Sequence, residues 1–75
     1  MLSATSPPPD ARPLTDPRAK EYDLALADYS DQLAALDEAR ARWFAERDYR
    51  VAAAGSAGSA RALRAKAAHL RARWA

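Results

Sequence analysis

Tyr22, Leu26, Tyr29, Leu33, Leu36 and Trp43 recur at spacings of 4, 3, 4, 3 and 7, the heptad-like period of one helix face. A strand would alternate every second residue, so this stretch is committed to an amphipathic α-helix. Its start is signalled at Asp16-Pro17: Asp can cap free N–H groups, and Pro suits a first position whose N–H would be unpaired anyway. Glu38 with Arg42 and Glu46 with Arg50 stand at i, i+4 with the acid first, which favours continuation to about Asp48. The helix extends toward Ala54 if Gly55 supplies a left-handed C-cap.

Gly55-Ser56-Ala57-Gly58-Ser59 is the one internal Gly/Ser cluster, and it is read as the turn, with Ser59 capping the helix beyond it. The stretch 49–59 is open between a plain turn and a short β-hairpin, because Tyr49 and Val51 favour extended backbone. Ala60, Leu63, Ala67, Leu70 and Trp74 then repeat at spacings of 3, 4, 3 and 4, giving a second helix with a narrow apolar stripe. The expected fold is all-α: a long helix, a Gly/Ser turn and a short basic helix, forming a lopsided helical hairpin over residues 16–75.

Helix rise makes the lopsidedness quantitative. A first helix of about 35 residues spans roughly 52 Å, a second of about 16 residues roughly 24 Å. Folding about the Gly/Ser turn would place Leu63, Leu70 and Trp74 near Arg50, Trp43 and Leu36, so Leu36, Trp43, Leu63, Leu70 and Trp74 are the expected intrachain core. Tyr22, Leu26, Tyr29 and Leu33 would then overhang without an internal partner, an apolar stripe of the kind that marks an interface.

All five prolines fall in the first 17 residues. Their fixed φ and missing donor favour extended, polyproline-like backbone, so residues 1–15 are expected to form an extended arm, with Pro7, Pro8 and Pro9 touching another chain, the alternative for the isolated chain being a disordered tail. With no Cys and one His, neither a disulfide framework nor a zinc site of Cys and His ligands can support a 75-residue chain. Chains this small are marginal alone, which leaves partner binding or oligomerisation as the expected support.

The net charge of +2 conceals a division. Residues 1–39 hold three basic and eight acidic side chains, residues 40–75 nine basic and two acidic. Such asymmetry fits either self-complementary assembly or an anionic partner. Arg61, Arg64, Lys66, Arg71 and Arg73, with no acid among them, form a candidate anion-binding stripe, and nucleic acid is the partner it suits. A basic helix face is more commonly just solvated. No DNA-binding motif accompanies the stripe.

No catalytic constellation is legible: His69 has no nucleophile or orienting group at helical spacing, and the glycines fit neither a P-loop nor a dinucleotide fingerprint. The expectation is a non-enzyme without cofactors or metals. The longest uncharged stretch of substance, Val51 to Ala60, is far short of the roughly 20 residues of a membrane span, so no membrane partner is expected. The N-terminus lacks the basic cluster and apolar core of a secretory signal.

Tyr49 to Trp74, YRVAAAGSAGSARALRAKAAHLRARW, resembles the small head-tail joining proteins of tailed phages, the head-completion protein W-like family. The similarity is carried by Tyr49-Arg50-Val51, the Gly/Ser turn, the Ser59 cap and the Leu63 to Leu70 spacing, and it covers roughly 26 residues. The resemblance implies a helix, a short β-hairpin and a second helix, assembled as a ring between portal and tail. It further implies a virion structural subunit whose arm threads along its neighbours. The sequence departs from that pattern in its Ala/Gly/Ser-only hairpin region and its added proline-rich arm. The expected function is therefore a non-enzymatic structural or adaptor subunit of a phage-like neck, with copies of itself and neighbouring structural proteins as partners, found in the virion. The rival is a small cytoplasmic bacterial regulator or inhibitor whose basic helix binds nucleic acid or an acidic protein surface.

Overall fold

The computed structural model describes residues 17–75 and consists of two helices, α1 (Pro17–Glu46) and α2 (Arg50–Ala72), folded as a helical hairpin. Among the described residues there is no strand. The proline-rich arm, with Pro7, Pro8 and Pro9, and the Asp16 cap lie outside the described residues.

The turn is not where glycine and serine suggested it. It is made by Arg47, Asp48 and Tyr49. Tyr49 N–H donates to the Phe44 carbonyl at 2.9 Å and Asp48 N–H to the Ala45 carbonyl at 3.0 Å, the paired bonds of a Schellman C-terminus. Asp48 supplies the left-handed residue, with φ 64°; glycine is the commoner choice, but Asp is among the few side chains that tolerate this region. The motif's apolar contact is also present, between the Tyr49 and Phe44 rings at 6.2 Å. Arg50 Nε donates to Asp48 Oδ1 at 2.9 Å, fixing the outward side of the turn.

Gly55 through Ser59 is helix interior. Interior glycines cost about 1 kcal/mol each relative to alanine, yet Ala60 immediately beyond is buried against α1 and Ser59 Oγ donates to Asp37 Oδ2 at 2.6 Å. Tertiary contact therefore carries the helix through a weak local sequence. Ser59 links the helices and does not cap one.

Moving the turn shortens α1 to 30 residues and lengthens α2 to 23, or about 45 and 34 Å. It also slides the helices. Trp74, expected beside Leu36, instead donates from Nε1 to Asp23 Oδ2 at 3.0 Å, about four helical turns nearer the start of α1. The overhang shrinks to the first turns of α1.

The contact between the helices is lined by small residues: Ala27, Ser30 and Ala34 on α1 against Ala60, Ala67 and Leu70 on α2. Leu26 packs against the cluster of Ala27, Ala67 and Leu70. Each buried methyl contributes only about 0.8 kcal/mol and a buried leucine roughly 1.5 to 3, so the apolar core is thin. The larger half of the heptad faces elsewhere.

Candidate functional site

Successive residues of α1 advance by about 100°, so the Ala27, Ser30, Ala34 seam that faces α2 fixes where every other side chain points. On the far side, about 160° around the helix, lie Tyr22, Ala25, Tyr29, Gln32, Leu36, Ala39 and Trp43, every one of them exposed. Their spacings alternate 3 and 4, and none is charged. Tyr22 is 67% exposed, Tyr29 56%, Leu36 63% and Trp43 48%. Four large apolar side chains on a seven-residue period thus form a straight strip about 31 Å long, exposing on the order of 400 Å².

The strip ends in an aromatic cluster at the turn. Trp43 and Phe44 meet edge to face at 5.4 Å, and Tyr49 lies 6.5 Å from Trp43. The Arg47 guanidinium stands 3.8 Å over the Trp43 ring and donates to the Trp43 carbonyl at 3.0 Å. This cation–π contact fixes the Trp43 ring while leaving it half open to water.

The interface and core assignments made from sequence divide here. Tyr22 and Tyr29 are exposed as the interface reading expected, but Leu26 and Leu33 are half-buried, Leu26 within the intrachain core. Of the residues expected in the core, Leu70 is buried and Leu63 and Trp74 are half-buried. Leu36 and Trp43, also assigned to the core, are exposed. The cause is the choice of seam: α2 docks on the small residues Ala27, Ser30 and Ala34 and never reaches the Leu36–Trp43 face.

The basic stripe is largely spoken for. Arg64 donates side-on to Glu38, from Nη2 at 2.8 Å and Nε at 3.2 Å, and from Nη1 to Asp31 at 3.1 Å. Arg71 bridges Asp31 at 2.7 Å and Asp28 at 2.8 Å. Arg73 lies 3.3 Å from Asp23. Glu38, Arg64, Asp31, Arg71 and Asp28 form one charged ladder along a single flank of the hairpin. The Arg71 hydrogen bond, with help from Arg64, holds the Asp31 carboxyl below its usual range against an opposing contribution from burial, and Arg64 does the same for Glu38. Arg61 and Lys66 are exposed and make no ion pair among the described residues. Neither expected helical pair closes to an ion pair: Arg64 takes Glu38, on which Arg42 acts only through its charge, and Arg50 lies beyond the turn with Asp48.

Among the described residues no cluster of His, Asp or Glu is arranged to hold a metal ion, no cavity opens, and no helix is long and apolar enough to cross a membrane. Compared with known proteins, the chain matches no family model, no curated protein and no solved structure.

Proposed function

We propose that this chain is a non-enzymatic structural or adaptor protein that works by docking the outer face of α1 onto another helix. One observation carries the reading: the uncharged, exposed heptad from Tyr22 to Trp43. A monomeric hairpin gains nothing from two tyrosines, a leucine and a tryptophan in register on its water-facing side, whereas a partner helix would remove them from water at roughly 1.5 to 3 kcal/mol each. The ladder on one flank and the alanine seam hold α1 straight, so the strip is presented on a rigid element.

A subunit of a phage-like neck is the narrower form of this proposal. It rests on the resemblance of Tyr49 to Trp74, and two points of that resemblance, the Gly/Ser turn and the Ser59 cap, have become helix interior. Nucleic-acid binding through α2 is less well supported than the docking reading, because Arg64, Arg71 and Arg73 already satisfy carboxylates of α1.

The test is co-expression of the chain with the products of its neighbouring genes, comparing wild type with Tyr29→Ser/Leu36→Ser. The proposal expects a partner, or a second copy, that the wild type retains and the double variant loses at unchanged helicity. Retention by both would overturn it.

A further inference from the structure

We infer that the occupant of the α1 strip is a second copy of this chain, docked antiparallel across a two-fold axis near Ala34 and Ala35. This rests on the docking function just proposed and names its partner.

Size complementarity is the first ground. The strip alternates large and small: Tyr22, Tyr29, Leu36 and Trp43 at one heptad position, Ala25, Gln32 and Ala39 at the other. Side-by-side parallel packing would set Tyr on Tyr and Trp on Trp, with alanines facing alanines, overfilling some layers and leaving others void. Antiparallel packing offsets the two positions, so that Tyr29, Leu36 and Trp43 meet smaller residues. In the register that overlaps the strip most fully, Trp43 packs on Ala25, Tyr29 on Ala39 and Leu36 on Gln32 of the second copy, and Tyr22 meets Glu46 at each end. Every layer occurs twice by symmetry, as an isologous interface requires.

Charge is the second, independent ground. In that register the flanking position on one side brings Asp28 of one copy beside Arg42 of the other, twice, with Ala35 facing Ala35 between them. The other flank sets Leu33 on Leu33 at the centre and the Arg40 stem along Leu26. Asp28 keeps 72% of its side chain exposed despite its bond to Arg71, and Arg42 is exposed with no ion pair among the described residues, so both can reach across. Parallel packing would set Asp28 beside Leu33 and Arg42 past the end of the partner helix instead, so neither charge would find its opposite. Because α2 lies on the opposite side of α1, it obstructs neither copy.

The chain has no cysteine, so single cysteines report the geometry cleanly. Ala35→Cys, Ala25→Cys and Ala62→Cys are exposed alanine replacements that leave the large residues of the strip intact. Sedimentation of the full chain should show a dimer, and a short thiol-to-thiol cross-linker should join Ala35→Cys to itself. Ala25→Cys, about 27 Å from its own copy across the axis, should not be joined, nor should Ala62→Cys on α2. Cross-linking at Ala25 as well as Ala35 would mean parallel packing and overturn the inference. A monomer at all concentrations would also overturn it; if such a monomer still binds a neighbouring gene product through Tyr29 and Leu36, the docking function survives, and if not, both fall.

Discussion

The Trp74 indole N–H donates to Asp23 across 51 residues of sequence at 3.0 Å, tying the last turn of the chain to the early turns of α1. The bond closes the far end of the alanine seam and is in register with it. Asp23 keeps only 14% of its side chain exposed and also receives Arg73 at 3.3 Å.

Replacing Trp74 by Phe retains the ring and removes the donor. The expected loss is about 1.5 kcal/mol, the lower end for a hydrogen bond to a charged acceptor, because the site is partly wet. Urea denaturation of the full chain measures it. Stability within error of the wild type would show that the register is set elsewhere.

Gly55 distinguishes a turn from a helix directly. A Cβ built there meets nothing within 4 Å, and the residue is helical, so Gly55→Ala should stabilise by about 0.5 to 1 kcal/mol. In a left-handed turn the same change would destabilise. Asp48 shows the reverse pattern: with φ 64°, Asp48→Val should cost upwards of about 1 kcal/mol. Thermal melts of both variants settle where the chain reverses.

The carboxylate ladder gives a pH dependence of definite sign. Asp31 and Glu38 sit below their ordinary values of 3.8 and 4.5 in the folded chain. Their contribution is therefore complete above those values and lost as pH falls through the lower folded ones. Urea midpoints should hold steady from neutrality to about pH 5 and then decline. Asp31→Asn should be less stable than wild type at pH 7 and converge on it in acid. Added salt should narrow the neutral-pH difference, since these pairs are partly exposed.

The helical periods, the two-helix architecture and the exposed Tyr22 and Tyr29 were legible in the sequence because 3.6-residue patterning is a local signal. The turn was not. Its left-handed residue is Asp48 where a glycine is usual, while the conspicuous Gly55 and Gly58 are carried inside α2 by the burial of Ala60 and the Ser59–Asp37 bond. Leu36 and Trp43 were misplaced for the same reason: large apolar residues at heptad spacing look like a core, and alanines look like filler. In this hairpin the small residues make the contact. The Phe44 and Tyr49 pair flanking Asp48 was the signal that could have located the turn.

The proposed function requires that the large apolar face of α1 serve association and not the fold of the hairpin, and Tyr29→Ser/Leu36→Ser, measured by circular dichroism and sedimentation on the same samples, tests that claim most directly. The expected result is helicity close to wild type together with loss of the associated species. By contrast Ala34→Leu, which overfills a fully buried site, should destabilise the hairpin by about 1 to 3 kcal/mol. Collapse of the helical signal in the double Ser variant of a chain that is already monomeric would contradict the claim, since Tyr29 and Leu36 would then belong to the core.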